Sequence, residues 1–321
     1  MSKAKMQASA FLTVERMAFM FFVAYSLASL VFVPNFSNPT NLRNILVQSA
    51  DLIILSCGMT FVVMNGGIDF SLTATLGLGS IIGASVMARE GNPMLLSVLG
   101  VIVMLGIGLG IGCVNGLTVT LLKMPSFIAT MATQLIFSGL ALWFTESATI
   151  GGLPEPFLFI GSGTLAGIPM PIIIMFAVVL VSWYLLHRTV LGRRIFAVGT
   201  NHRTSAISGI PVKRTIFLLF VFSGVLAAVS GIVMTSRSAA GMPAMGKTML
   251  MDVVGAVVIG GTSVTGGMGN MLGTVVGAVL IIVLNNSLNL LGVEWFVINS
   301  LKGVMIISVA LLGIPRASRK K

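Results

Sequence analysis

Charge is scarce in this sequence. Only 8% of its 321 residues are Asp, Glu, Lys or Arg, against about a quarter in a water-soluble domain, and that excludes a soluble globular protein. The segments 17–42, 91–122, 156–186, 215–236 and 253–293 carry no charged residue at all. Cysteine is nearly absent too. Cys57 and Cys113 provide neither a disulfide framework nor a Cys-x-x-Cys metal spacing, and both read as small packing residues. The two histidines, His187 and His202, fall in one segment. No Ser/His/Asp, Cys/His or zinc constellation is available, so no catalytic residue, metal site or cofactor is expected, and the chain does not read as an enzyme. No Ala-x-Ala cleavage pattern follows the first apolar run ahead of Pro34, so that run reads as a membrane span and not a signal peptide.

What is present is apolar: 56% hydrophobic residues and a mean hydropathy of +1.06. Crossing about 30 Å of hydrocarbon takes roughly twenty such residues in a helix. Runs that meet or approach this are 17–33, 46–64, 70–88, 94–122, 127–144, 170–186, 215–235, 249–260, 271–291 and 295–313. The expected fold is therefore an all-α integral membrane protein of about ten transmembrane helices, one permease-like domain over 1–321, multi-pass in a bilayer. The fourth run would be about 43 Å long if straight, so it is expected to tilt or to break at its glycines. The eighth is too short to span alone. Lys and Arg are held back on the cytoplasmic side during insertion. Ten spans with the N-terminus inside put Lys3, Lys5, Arg16, Lys123, Arg188, Arg193, Arg194, Arg203, Lys213, Arg214, Arg316, Arg319, Lys320 and Lys321 in the cytoplasm, 14 of the 19 basic residues. Both termini are then cytoplasmic, as an N-terminal tail 1–16 and a basic tail 314–321. The net charge of +11 is spread over these loops and not gathered on one aromatic-interleaved face, so no nucleic-acid partner is expected.

The cytoplasmic loop 187–214 carries six Lys or Arg and no acid, with an apolar patch Ile195–Val198 and a short helix expected around Thr204–Ser208, ended by Gly209 and Pro211. It reads as a docking site for a soluble partner, or as positive-inside bias alone. A weak parallel repeat runs through the chain. Val63, Gly66, Gly67, Leu78, Gly79, Gly83 and Ala84 match Val257, Gly260, Gly261, Leu272, Gly273, Gly277 and Ala278 at one offset of 194 residues. Paired Gly-interrupted segments in two halves point to a transport pathway. Gly108, Gly112 and Gly116 form one ridge and Gly79 with Gly83 another, allowing helix backbones to approach closely in lipid.

Asp51, Asp69, Asp252 and Lys302 lie in or at the edge of spans, where an ionised side chain is costly unless paired or hydrated. Asp69 is placed to cap the next helix, Asp51 to reach water at the outer end of its span, and Asp252 and Lys302 to pair across the bundle. Candidate pathway residues are Asn65, Asp69, Asn115, Gln134, Asp252, Asn285 and Asn289, the last two amides one turn apart on one helix face. Neutral amides suit hydroxylated solutes; interhelical hydrogen bonding is the other reading. Gly241–Thr248 satisfies the Walker A pattern, but it follows a membrane span on the expected exterior and not a buried strand, so it is rejected as a nucleotide site.

The runs GMTFVVMNGGIDFSL (58–72), VNGLTVTLLKMPSFIATMATQLIFSGL (114–140), GRRIFAVGTNHRTSAISGI (192–210) and MDVVGAVVIGGTSVTGGMGNMLGTVVGA (251–278) resemble the permease subunits of bacterial monosaccharide ABC importers of the ribose, xylose and galactose type, and more distantly the branched-chain amino-acid permeases. The resemblance covers about Asn41 to Leu311. It implies a sugar-importing permease of the bacterial inner membrane. Its partners would be separate cytoplasmic ABC ATPase subunits, a periplasmic sugar-binding protein and a second permease chain, identical or related. It implies that Arg193, Arg194, Gly199, Asn201, Ala206 and Gly209 belong to the ATPase-coupling segment, Asp69 to a GGID turn, and Asp252, Gly260, Gly261, Thr262 and Ser263 to a second Gly-rich turn. Thr200, His202, Arg203, Met268 and Asn270 depart from the family pattern. Two other classes remain open at this stage: a stand-alone secondary transporter or channel in which Asp51, Asp69 or Asp252 titrates or binds Na⁺, and an assembly protein without substrate.

Overall fold

In the computed structural model, residues 3–313 are described. Thirteen helices follow in order: α1 (Lys3–Phe32), α2 (Pro39–Val63), α3 (Leu72–Met87), α4 (Pro93–Thr120), α5 (Ser126–Thr145), α6 (Glu155–Ser162), α7 (Met170–Arg188), α8 (Val190–Thr200), α9 (His202–Ile207), α10 (Val212–Ser238), α11 (Leu250–Ile259), α12 (Met271–Leu290) and α13 (Trp295–Gly313). A two-stranded antiparallel hairpin, β1 (Thr164–Leu165) and β2 (Ile168–Pro169), precedes α7. Each of the ten apolar runs contains one helix. Six helices, α2, α4, α5, α7, α10 and α12, are long and apolar enough to cross a membrane, and four shorter apolar ones accompany them. The basic tail 314–321 lies outside the described residues, and the segment expected as an N-terminal tail, 1–16, is part of α1 from Lys3 onward.

Local chemistry starts these helices where it should. Asn38 accepts from Thr40 N at 2.9 Å ahead of Pro39, and Asn92 from Met94 N at 3.0 Å ahead of Pro93. An Asn side chain meets an orphan N–H while the proline occupies a position with no hydrogen bond to lose. α2 is buried without interruption from Ser49 to Met64, as expected of a helix apolar on every side; α7, α10, α11 and α12 enclose it. The outer helices present large apolar side chains, among them Leu135, Phe176 and Val304, to the surroundings that hydrocarbon would fill.

Of the two expected alternatives, tilt or a break at the glycines, α4 does not break: it is one helix of 28 residues, about 42 Å long. Gly108, Gly112 and Gly116 instead face α10. A Cβ at Gly108 would overlap the Gly224 carbonyl, and one at Gly112 would come within 2.6 Å of the Phe220 carbonyl. The second expected ridge is half real, since Gly83 is pressed by Met104 whereas Gly79 has nothing within 4 Å. Close backbone approach supplies packing energy where lipid offers no hydrophobic drive. Gly112→Leu should therefore lower the thermal midpoint of the detergent-solubilised chain by several degrees, consistent with an overpacking penalty of about 1–3 kcal/mol. Gly110→Leu, on the open face of the same helix, should leave the midpoint unchanged.

Candidate functional site

The two Gly-rich turns of the repeat meet each other. α2 ends in a turn where Gly67 N donates to Val62 O at 3.1 Å, and α11 ends likewise with Thr262 N to Val257 O at 3.1 Å. The residues at positive φ are Gly66 (76°) and Gly261 (86°). These turns correspond at an offset of 195, one residue from the gapless match of 194, and the second connection is longer before its helix resumes at Met271. Gly267 N donates to Met64 O at 2.8 Å, joining the two turns directly. Into this joint comes the end of α8. A Cβ on Gly199 would overlap the Met64 carbonyl and approach Gly267 N to 2.6 Å; one on Gly266 would lie 2.8 Å from Gly199 O and 2.9 Å from Gly66 N. Three segments thus touch backbone to backbone.

The segment 187–214 is mostly helical, with α8 where only an apolar patch was expected. Thr189 accepts from Gly192 N at 3.3 Å to start α8, and Asn201 accepts from Thr204 N at 2.9 Å to start α9. Ile195 and Val198 are fully buried, which anchors α8 to the bundle. Arg193, Asn201, Ala206 and Gly209 are exposed and Arg194 half-buried, while Ile207 is 82% exposed at the end of α9. Gly199 is the exception among the expected coupling residues, being seated inside the joint and not on the outer face. His187 and His202 are both exposed.

Asp69 organises a buried polar network just beyond the same turn. Its Oδ1 accepts from Ser71 Oγ at 2.6 Å and Ser71 N at 3.0 Å, and its Oδ2 from Ser223 Oγ of α10 at 2.8 Å. The expected cap is thus displaced: the carboxylate holds the backbone of Ser71, the residue before α3, and not an N–H inside the helix. Asn115 Nδ2 donates to Ser71 Oγ at 2.7 Å, and Thr133 Oγ1 donates to Asn115 Oδ1 at 2.7 Å. One carboxylate and one amide therefore tie α3, α4, α5 and α10 together. Gln134 stands at the margin, its Nε2 3.5 Å from Thr73 Oγ1.

The other candidate pathway residues do not converge on Asp69. Asp252 Oδ1 receives Lys302 Nζ at 2.7 Å and its Oδ2 receives Asn285 Nδ2 at 3.4 Å, while Asn289 is exposed near the end of α12. Asn65 lies at the joint, on a cavity of about 520 Å³ shared with Lys123, Ser126 and His202. Asp51 does not reach water as expected: it is 1% exposed, with Oδ2 2.6 Å from Arg237 Nη2. That pair was missed, although both residues sit at the same end of adjacent apolar runs with opposite charge. Ser71, Ser223 and Thr133 were missed as well, because hydroxyls carry no hydropathy signal. Among the described residues, no three His, Cys, Asp or Glu gather as a metal would require. Asn115→Leu removes the amide link between Ser71 and Thr133 and should destabilise the solubilised chain by about 1 kcal/mol, read as a lowered thermal midpoint, whereas Gln134→Ala should change it little.

Comparison with known proteins places this architecture. A family described as branched-chain amino acid transport system / permease component matches residues 41–312. The ribose import permease protein RbsC of Bacillus subtilis (strain 168) is 41% identical over 87% of this chain and 86% of its own. RbsC of Escherichia coli (strain K12) is 36% identical over 87% of each, and the D-allose transport system permease protein AlsC of Escherichia coli (strain K12) is 33% identical over 86% and 84%. Among solved structures, an inward-facing ABC transporter of proposed metal-chelate type superposes with a TM-score of 0.53 at 17% identity, covering 94% of this chain and 98% of that one, a likeness of fold. The chain belongs to the branched-chain amino acid transport permease family.

Proposed function

We propose that this chain is the membrane-spanning permease subunit of an ATP-driven importer of sugars, a multi-pass protein of the bacterial inner membrane. Relatives named for ribose and allose transport, at 33–41% identity over most of the chain, support the sugar class. Ten spans with both termini in the cytoplasm accord with the distribution of Lys and Arg. A separate ATPase would dock on the exposed face of α8 and α9, a sugar-binding protein would deliver solute on the opposite side, and a second permease chain, identical or related, would complete the pathway. The Asp residues that an ion-driven carrier would need are already engaged, Asp51 with Arg237, Asp69 with hydroxyls and Asp252 with Lys302.

The observation that carries this reading is the seating of Gly199 between the Met64 carbonyl and Gly267 N. A push on α8 and α9 meets backbone on both sides and has no side chain to yield. ATP-driven closure of the partner would therefore displace the α2–α3 and α11–α12 turns, the rigid-body shift that alternating access requires. Ile207→Asp alters a side chain 82% exposed and should leave membrane insertion intact. In vesicles containing permease, ATPase and binding protein it should reduce ATP-dependent uptake roughly tenfold or more, the effect of about 1.4 kcal/mol lost at a docking contact. Wild-type uptake by the variant, or solute accumulation by the chain alone, would refute the assignment.

A further inference from the structure

A second cavity, of about 390 Å³, lies in the other half of the bundle between α2, α10, α11 and α12. Its volume is within the roughly 300–1,000 Å³ usual for small-molecule sites. Thirteen residues separate Asp51 from Met64 on α2, which places the cavity about 20 Å from the joint that holds Gly199. Asn44, Gln48 and Asp51 line it from one face of α2, spaced by one turn and then by a second. Arg237 of α10 and Asp252 of α11 complete its polar lining.

The chemistry of the lining is specific. Asp51 is 1% exposed and forms an ion pair through Oδ2 with Arg237 Nη2 at 2.6 Å, but both of its carboxylate oxygens are buried without a hydrogen bond of good geometry. A buried carboxylate oxygen without a donor is costly. Arg237 donates through Nη1 to Val47 O at 3.3 Å, which uses only part of its five-donor fork. Neither Asn44 nor Gln48 hydrogen-bonds to another described residue. Asp252 is matched by Lys302, which is not itself a lining residue, as Asp51 is by Arg237, so each carboxylate of the lining has its own cation. Such a site offers a monovalent ion no net attraction. It does offer adjacent strong donors and acceptors, the arrangement that vicinal hydroxyl groups satisfy, each as donor and acceptor at once.

We propose that this cavity is a subsite for a neutral polyhydroxylated solute, with Asp51 and Arg237 as a fixed acceptor and donor for adjacent hydroxyls and with Asn44 and Gln48 reading further ones. The inference rests on the reading of the chain as a sugar permease and assigns that function a location. It replaces a pathway drawn through Asp69 and Asn115, whose hydrogen bonds are spent within the bundle.

The test is protection from chemical modification. In a Cys113→Ala chain reconstituted with its ATPase and binding protein, Asn44→Cys and Gln48→Cys are labelled with a membrane-impermeant thiol reagent, alone and with D-ribose, D-allose or sodium chloride. Both positions are exposed and make no described hydrogen bond, so these variants keep the fold. A bound sugar should slow labelling by the factor 1 + [L]/Kd, about elevenfold at ten times Kd. Gln48→Leu should weaken the protection seen at Asn44→Cys, raising the sugar concentration needed for half-maximal protection. Protection that is specific to the sugars and sensitive to Gln48→Leu establishes the subsite. Equal protection by sodium chloride, or none by either sugar while the same vesicles accumulate sugar, overturns it. Vesicles that accumulate no sugar with ATPase and binding protein present would overturn the permease reading itself, and the subsite with it.

Discussion

Irregular backbone inside a membrane protein survives only where protein or an aqueous cavity satisfies its polar groups, and the bond from Gly267 N to Met64 O is how this chain meets that condition twice over. α2 and α11 both stop within the bundle, and each stop leaves carbonyls without helical partners. The two turns solve the problem jointly, each lying against the other with the end of α8 as the third wall. A side chain larger than hydrogen at Gly199 or Gly266 would drive this arrangement apart. The joint is thus a consequence of how two helix ends satisfy their carbonyls before it is a mechanical device.

How far the sequence disclosed this depended on which property each feature uses. Helix positions were legible because lipid enforces long uncharged runs, and the ten runs each contain a helix. α8 was not, because a helix of eleven residues with buried Ile195 and Val198 beside Arg193 and Arg194 has no hydropathy peak; Thr189 followed by Gly192 was its one local signal. For α4 the sequence left tilt and break both open, because glycine is costly in a water-exposed helix yet favourable where another backbone lies against it. The repeat was seen one residue out of register, since matching glycines cannot reveal which of two adjacent ones adopts positive φ. For the polar residues, type and depth were readable but rotation about each helix axis was not. Hence Asp69, Asp252 and Asn65 read as one pathway, whereas the fold distributes them among three separate environments.

Charge inside the bundle follows a single rule. Removing one partner of a buried pair leaves an uncompensated charge at a cost of about 3–5 kcal/mol, and both described salt bridges join different helices: α2 to α10 through Asp51 and Arg237, α11 to α13 through Asp252 and Lys302. These pairs hold helices at set rotations more than they add net stability, because desolvation offsets most of the attraction. Asn41 and Asn286 do the same without charge, exchanging amide hydrogen bonds at 2.8 and 3.0 Å between α2 and α12.

Along α10, Ser223, Ser230 and Arg237 recur every seventh residue, almost two helical turns apart, and so share one face. Ser223 holds Asp69, Ser230 Oγ donates to the Asp51 carbonyl at 3.2 Å, and Arg237 pairs with the Asp51 carboxylate. This stripe fastens α10 to α2 and to the turn before α3 at three heights, which makes α2, α3 and α10 one unit. The polar links from that unit to α11 and α12 are the backbone bond at Met64, one hydroxyl pair between Thr60 and Thr274 at 2.8 Å, and the Asn41–Asn286 exchange. A rigid-body shift of one unit against the other would act at the seam between the two units. Gly199 enters that seam at one end. At the other, Asn44, Gln48, Asp51 and Arg237 face Met249, Asp252 and Ile282 across the cavity. A displacement delivered through α8 would therefore act on the boundary whose far end the cavity occupies, so that force and solute site meet on the same surface without any contact between them.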